Sequence, residues 1–246
     1  MNPTIELLHN HASVRSYSPE PLTDEQRDAV FRAANQTSSF SLLQAVSVIR
    51  IADPALRKQV RALCVDQPYI EEAGEFWIFC ADFNRNHQIA PDVDLSYIEF
   101  LLIGAFDAGL MAQNALTAAE SLGLGGVYIG AVRSNIEALS ELLELPEYTI
   151  PLVGLCLGVP AGEKAGLKPR LPQSMVLFED RYRTLDRDEL ADYDRTVLNY
   201  YEQRPVKAPF TVKKVKGWSD HVQNHLERSI MPDMMDYLNK QGFAKK

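Results

Sequence analysis

From Thr23 to Ala34 apolar residues return at helical spacing, with Ala29, Val30, Ala33 and Ala34 on one side. Thr23 and Gln26 have the spacing of a capping box, and Pro21 stands just upstream, so the pattern predicts a helix over about 23–34. Two short runs, Val46-Ser47-Val48-Ile49-Arg50-Ile51 and Phe76-Trp77-Ile78-Phe79-Cys80-Ala81, are β-branched or aromatic and bounded by polar breakers, which predicts strands. Pro54 to Leu63 reads as a short helix between them. The longest apolar stretch, 97–122, ends at Gly123, where a left-handed cap is easiest for glycine. A third strand is expected over 126–129, an amphipathic helix over 135–143 and a central strand over 151–158. Helical periodicity resumes over 187–202, is absent over 203–217, and returns over 219–241 with a break at Pro232.

This alternation of strands and helices, followed by a helical tail and without internal repeats, predicts one α+β domain over 1–246. Residues 187–246 form its C-terminal helical extension and 203–217 a basic loop within it. Strand directions carry no local signal. The 97–122 stretch contains Glu99, Asp107, Gln113, Asn114 and Glu120, too many polar groups for a bilayer span, so it reads as a buried helix and no membrane is expected. Its Gly104, Ala105, Ala108, Gly109 and Ala112 form a small-residue stripe that suits close helix approach, either within the chain or at a dimer seam.

The 246 residues are 46% apolar, enough for a sizeable core, and the net charge of −8 argues against a surface built for nucleic acid. Cys64, Cys80 and Cys156 are odd in number and lie in apolar runs, so they read as reduced core residues of a reducing compartment. The N-terminal stretch lacks a basic start followed by an apolar run, and no signal peptide is expected.

Five segments could carry chemistry. His11, Ser13 and Arg15 follow a short N-terminal helix at every second residue; in an extended segment one anion can meet all three, although the same triplet suits a solvated face. Lys168-Pro169-Arg170 holds two cations on a stiffened chain, again as a phosphate clamp or an ordinary loop surface. Gly123 to Gly130 contains four glycines between a helix and a strand. A dinucleotide fingerprint needs the reverse order, which leaves either backbone approach to a flat ligand or a cap and tight turn. Ser38, Ser39 and nearby hydroxyls leave a helix, and Gln67 occupies a later connection; both suit a polyol or a heterocycle edge as well as turn chemistry. The 203–217 loop carries Arg204, Lys207, Lys213, Lys214 and Lys216 with no acidic residue. His221 and His225 are spaced i, i+4, but without the glutamate of a zinc hydrolase, so no metal is expected. No nucleophile elbow is present either, which assigns the chemistry to a cofactor.

Together His11-x-Ser13-x-Arg15, Ser38-Ser39, Gln67, the run from Met111 to Arg133, PLVGLCLGVPA, Leu167 to Pro172, FWIFCADFNR and Trp218 to His221 resemble one family nearly end to end. It is the NADPH-dependent, oxygen-insensitive (major, group A) nitroreductases and their NADPH-flavin oxidoreductase relatives. The resemblance implies a nitroreductase-like α+β fold with a mainly antiparallel sheet flanked by helices. It also implies a cytoplasmic homodimer with one tightly but non-covalently bound FMN per subunit at the interface, and NADPH as co-substrate. Carried over by motif, His11, Ser13, Lys168 and Arg170 hold the FMN phosphate and Arg15 sits nearer the ring. Ser38, Ser39 and Gln67 meet the ribityl chain or ring edge, and Tyr128, Ile129, Gly130 and Ala131 lie along the isoalloxazine.

Two positions depart from the family: Ala12 stands where an arginine is common, and Ala131 where a second glycine is frequent. The basic loop is longer and richer in lysine than the one relatives use for the 2′-phosphate of NADPH, with Arg204, Lys213 and Lys214 as candidates. The implied activity is FMN-dependent NAD(P)H oxidation by a ping-pong hydride transfer, with nitroaromatics, quinones or flavins as acceptors. A flavin reductase supplying a partner monooxygenase and a flavin-binding protein without turnover are the alternatives.

Overall fold

The capping box at Thr23 forms: its hydroxyl accepts from the Gln26 N–H at 3.2 Å and the Gln26 side chain accepts from the Thr23 N–H at 3.0 Å. The computed structural model describes residues 2–162, 166–203, 216–227 and 231–246. They divide into two compact units, Met1–Ala165 with Pro232–Lys246, and Gly166–Met231.

The first unit runs through α1 (Pro3–His9), α2 (Asp24–Asn35), β1 (Val46–Arg50), α3 (Pro54–Leu63), α4 (Tyr69–Glu72), β2 (Glu75–Asp82) and α5 (Asn84–Ile89). It continues with α6 (Ile98–Ser121), β3 (Gly125–Ile129), α7 (Ile136–Leu142) and β4 (Thr149–Gly158). The strands pair in the order β1-β2-β4-β3, and every pair is antiparallel. All eight positions of β2 are buried, because helices cover both faces of the sheet. Trp77 and Phe79 pack with α2 and α6, whereas Phe76, Ile78 and Cys80 pack with α3, α4 and α7. Alternation along the strand thus serves two cores.

Proline in a central strand removes a ladder donor and is tolerated at bulges. Pro151 obeys this: the β2–β4 register shifts at Phe79/Cys80, so that Val153 and Pro151 are successive partners and Leu152 is extra. The Leu152 carbonyl accepts instead from the Arg133 guanidinium.

The small-residue stripe of α6 is split. Gly104, Ala108 and Ala112 are buried, and a Cβ on Gly104 would lie 2.7 Å from that of Ala81. Ala105 and Gly109 instead face outward beside Leu102, Phe106 and Leu110, of which Phe106 is 71% exposed. The helix ends as expected, with Gly123 at φ +78°.

In the second unit α8 (Arg187–Glu202) and α9 (Trp218–Leu226) pack as a pair. Asp186 caps α8, Asp194 accepts from both the Ser219 N–H and hydroxyl, and the Tyr193 and Trp218 rings meet edge to face at 5.7 Å. The chain returns to the first unit as α10 (Met234–Lys240). There Tyr237 and Phe243 close one end of the core with Phe83, Leu95 and Ile150. The helical pattern over 219–241 therefore serves both units, on either side of the break at Pro232.

Candidate cofactor-binding site

The strip that carries His11, Ser13 and Arg15 is stitched to the sheet where β3 starts and β4 ends. Val14 N–H donates to the Gly126 carbonyl at 2.9 Å, Ser18 N–H to Val159 at 2.8 Å, and Ala161 N–H to Ser16 at 3.0 Å. The Tyr17 hydroxyl, buried, donates to the Val14 carbonyl at 2.8 Å, and burial pushes its pKa upward. Val14 is buried as well. Successive residues of an extended chain point to opposite sides, so seating Val14 in the core turns Ser13 and Arg15 away from it; both, with His11, are partly exposed.

Two side chains of this strip stand against buried groups. The His11 Nδ1 lies 2.7 Å from Glu120 Oε1, a carboxylate on the last turn of α6 whose side chain is 4% exposed. The Arg15 guanidinium lies close enough to the Tyr69 hydroxyl, at the start of α4, for its charge to act on it. Burial pushes the Tyr69 hydroxyl up, and Arg15 acts against that shift. Gln67 stands two residues earlier, and its Oε1 is buried without a hydrogen-bond partner. The two residues before it, Val65 and Asp66, have left-handed φ values of 57° and 50°. Such conformations cost about 1–3 kcal/mol for a non-glycine residue and persist where surroundings enforce them. An Arg61–Asp66 ion pair at 2.7 Å holds this turn.

The four glycines near β3 divide their work. A Cβ on Gly125 would lie 2.4 Å from Val14 Cγ2, and one on Gly126 would lie 2.7 Å from the Cys156 carbonyl oxygen. Gly123 caps the helix at a left-handed φ, so packing claims two of the four and the cap a third. Gly130 differs: it is exposed, begins a 3₁₀ turn over Gly130–Arg133, and leaves open backbone at the end of β3. Of its neighbours, Ile129 is buried in the core and Ala131 is half-buried. Tyr128 donates to Gln113 Oε1 at 3.2 Å, and its hydroxyl is pushed up by burial and by the charge of Glu120.

Ser38 and Ser39 lie elsewhere on the first unit. Ser39 precedes a 3₁₀ turn over Phe40–Leu42, its hydroxyl accepts from the Gln44 N–H at 3.3 Å, and the Phe40 N–H donates to Asp107 Oδ1 at 3.0 Å. Asp107 and Glu120 are thirteen residues apart on one helix, which at a 1.5 Å rise separates the serine loop from His11 by about 20 Å. The strip and the serine loop of one chain therefore stand at different stations along α6.

Lys168 and Arg170 belong to the second unit. Arg170 bonds back to the Lys168 carbonyl at 3.1 Å, and the Tyr193 hydroxyl donates to the Pro169 carbonyl at 3.2 Å. The two cations line a cavity of about 500 Å3 together with Tyr200, Trp218 and His221. His221 and His225 stack with ring centroids 6.0 Å apart, and among the described residues no group of three or more ligating side chains could hold a metal. Arg204, Lys213 and Lys214 lie outside the described residues.

Sequence reading missed Glu120 and Tyr69. Glu120 was legible only as a charge on the apolar side of a long helix, and Tyr69 only as an aromatic two residues past Gln67.

The donors fit FMN. An imidazole and a hydroxyl, His11 and Ser13, suit a phosphate, the Arg15 guanidinium and the orphaned Gln67 oxygen suit the polar edge of a ring, and the open backbone at Gly130 admits a flat heterocycle. The fold and this donor set suit an elongated, phosphate-bearing aromatic ligand beside an antiparallel sheet.

Known proteins make that class specific. The model of the nitroreductase family matches residues 8–93 and 99–159, and that of the nitroreductase family C-terminal domain matches 168–246. The chain is 50% identical over 246 residues to the oxygen-insensitive NADPH nitroreductase of Salmonella typhimurium, with both chains covered completely. Among solved structures, nitroreductase A of Vibrio parahaemolyticus superposes with a TM-score of 0.92 at 41% identity, and the NADPH:FMN oxidoreductase of Vibrio harveyi complexed with NAD+ with 0.91 at 41%, each over the full length of both chains. The chain belongs to the nitroreductase family.

Proposed function

We propose that this chain is an FMN-dependent NAD(P)H oxidoreductase that reduces nitroaromatics, quinones or flavins in a ping-pong cycle. The observation that carries the reading is the strip His11-Ser13-Arg15, anchored to the sheet with buried partners and set beside an unpartnered Gln67 oxygen. The names of full-length relatives, an NADPH nitroreductase and an NADPH-flavin oxidoreductase, support it. His11, Ser13, Lys168 and Arg170 hold the phosphate end of FMN. Arg15, close to Tyr69, stands on the ring side with Gln67, and Tyr128, Ile129, Gly130 and Ala131 line the ring. Bound FMN supplies the hydride-transfer chemistry, so no side-chain acid or base is needed. We treat 1–246 as one functional domain, because full-length relatives match it from end to end.

We further propose that the active form is a homodimer whose sites each combine the strip of one copy with Ser38 and Ser39 of the other. Separation of the two stations along α6 supports this, as does the outward apolar face of Leu102, Phe106 and Leu110. Such a face in contact with water is a docking surface rather than a finished exterior. Among the described residues α6 is also the one helix long and apolar enough to cross a membrane, and 44% of its apolar window is already buried in the chain. The cytoplasm is our assignment of compartment: Cys64 and Cys80 are buried thiols pushed up to about 12, as expected of unreactive core residues in a reducing environment. NADPH preference is assigned to Arg204, Lys213 and Lys214.

Anaerobic stopped-flow reduction of the FMN-loaded protein by NADPH and by NADH, followed by mixing with a nitroaromatic, tests the activity. Rapid bleaching with NADPH and reoxidation by the nitro compound is expected; a flavin that stays oxidised with both nucleotides overturns the reading. The Vibrio harveyi relative, named an NADPH-flavin oxidoreductase, favours one variant of it, in which free flavin is the acceptor. Turnover of free FMN much faster than nitro reduction identifies that variant.

A further inference from the structure

A carboxylate buried on the apolar side of a core helix is costly unless its charge is used. Glu120 is 7% exposed, and the structure gives its Oε1 one close partner, the His11 Nδ1 at 2.7 Å, contributed by a residue 109 positions earlier in the chain. With Nδ1–H committed to the carboxylate, the ring orientation is fixed and Nε2 becomes the nitrogen available to a ligand. Nε2 can donate to an anion only when the imidazole carries both protons, and the carboxylate in contact with Nδ1 then pairs that charge directly. The chain has particular use for such a cation. Ala12 contributes no charge to the strip, so Arg15 is its one fixed cation, and that guanidinium lies close to Tyr69.

We propose that Glu120 is a positioning residue for the phosphate of the bound flavin, acting through His11 as a carboxylate–imidazolium pair. The proposal rests on the assignment of His11 to the phosphate end. Glu120 itself touches no ligand: it sits behind the ring, also close enough to Tyr128 for its charge to act on that hydroxyl.

Riboflavin, which has the ring and ribityl chain but no phosphate, separates this role from a structural one. FMN and riboflavin are titrated into the apoprotein, with flavin fluorescence as the readout, for the wild-type chain, E120Q, H11A and the double variant. In E120Q the Kd for FMN is expected to rise about tenfold, the size of one charge-assisted hydrogen bond, while that for riboflavin stays unchanged. In the H11A background E120Q should add nothing. Equal weakening of both flavins, or an undiminished effect of E120Q without His11, overturns the proposal. Wild-type protein that binds FMN no tighter than riboflavin overturns the phosphate assignment beneath it.

Should E120Q fail to fold, long-range 1H–15N spectra of the wild-type chain still decide the matter. The His11 resonance, identified by its loss in H11Q, is expected to report a protonated Nδ1, and a bare Nδ1 refutes the pair.

Discussion

The side chain of Val14 fills the volume that a Cβ on Gly125 would occupy, with Cγ2 2.4 Å from that point and Pro160 Cγ 3.1 Å from it. The glycine is thus what lets the binding strip lie flat on the sheet. Gly125→Ala should displace Val14, lower unfolding stability by about 1–3 kcal/mol and weaken FMN binding. Urea unfolding and flavin titration measure both effects. Adding Val14→Ala to that variant should restore part of each loss, because the second change removes the clashing methyls.

Tyr69→Phe tests the ring side of the strip. Removing the hydroxyl takes away a polar group on which the Arg15 charge acts. FMN and riboflavin should both weaken, by about 1 kcal/mol, because the lost contact lies away from the phosphate. An effect confined to FMN would place Arg15 at the phosphate instead.

What the sequence made legible follows from range. Helices α2, α3 and α8 were readable because the Thr23–Gln26 spacing, Pro54 and the periodicity over 187–202 are signals local to those helices. Four-residue α4 and six-residue α5 are too short for periodicity to register. The antiparallel order β1-β2-β4-β3 depends on pairings between distant segments and leaves no local trace. The same limit hid part of the site. His11 and Arg15 were visible as a spaced pair, but Glu120 and Tyr69 matter only because folding carries them behind those two side chains.

Glu75 gives a pH-dependent prediction. Burial raises its carboxyl pKa, yet hydrogen bonds from Arg50, Trp77 and Arg27 outweigh that and leave it below the usual value. A depressed folded pKa contributes stability above the unfolded carboxyl value of about 4.3, and that stability is lost as pH falls through the folded value. Glu75→Gln should therefore cost about 2 kcal/mol at neutral pH and much less at the acid end, flattening the acid limb of stability against pH. Denaturant midpoints measured across the acid range check the sign.

Lys213→Ala with Lys214→Ala should raise the KM for NADPH far more than that for NADH, since only NADPH carries a 2′-phosphate for those cations to meet. Steady-state kinetics with each nucleotide at a fixed acceptor concentration compares the two. Equal changes would remove this pair from 2′-phosphate recognition.

The shared site of the proposed dimer can be tested by complementation. His11→Ala chains carry a defective strip, and chains with Ser38→Ala and Ser39→Ala carry a defective serine loop, so either homodimer should bind FMN poorly. If each site takes its strip from one copy and its loop from the other, a mixed dimer contains one site with both defects and one with neither. Co-expression with two different affinity tags isolates that mixed dimer, and flavin content per dimer is the readout. One well-bound FMN per mixed dimer is expected; none would mean that strip and loop serve the same site within one chain. Phe106→Glu supplies the companion result. A carboxylate on the exposed apolar face of α6 should shift the mass measured by light scattering from dimer toward monomer, and the monomer, lacking a loop from a second copy, should lose its flavin.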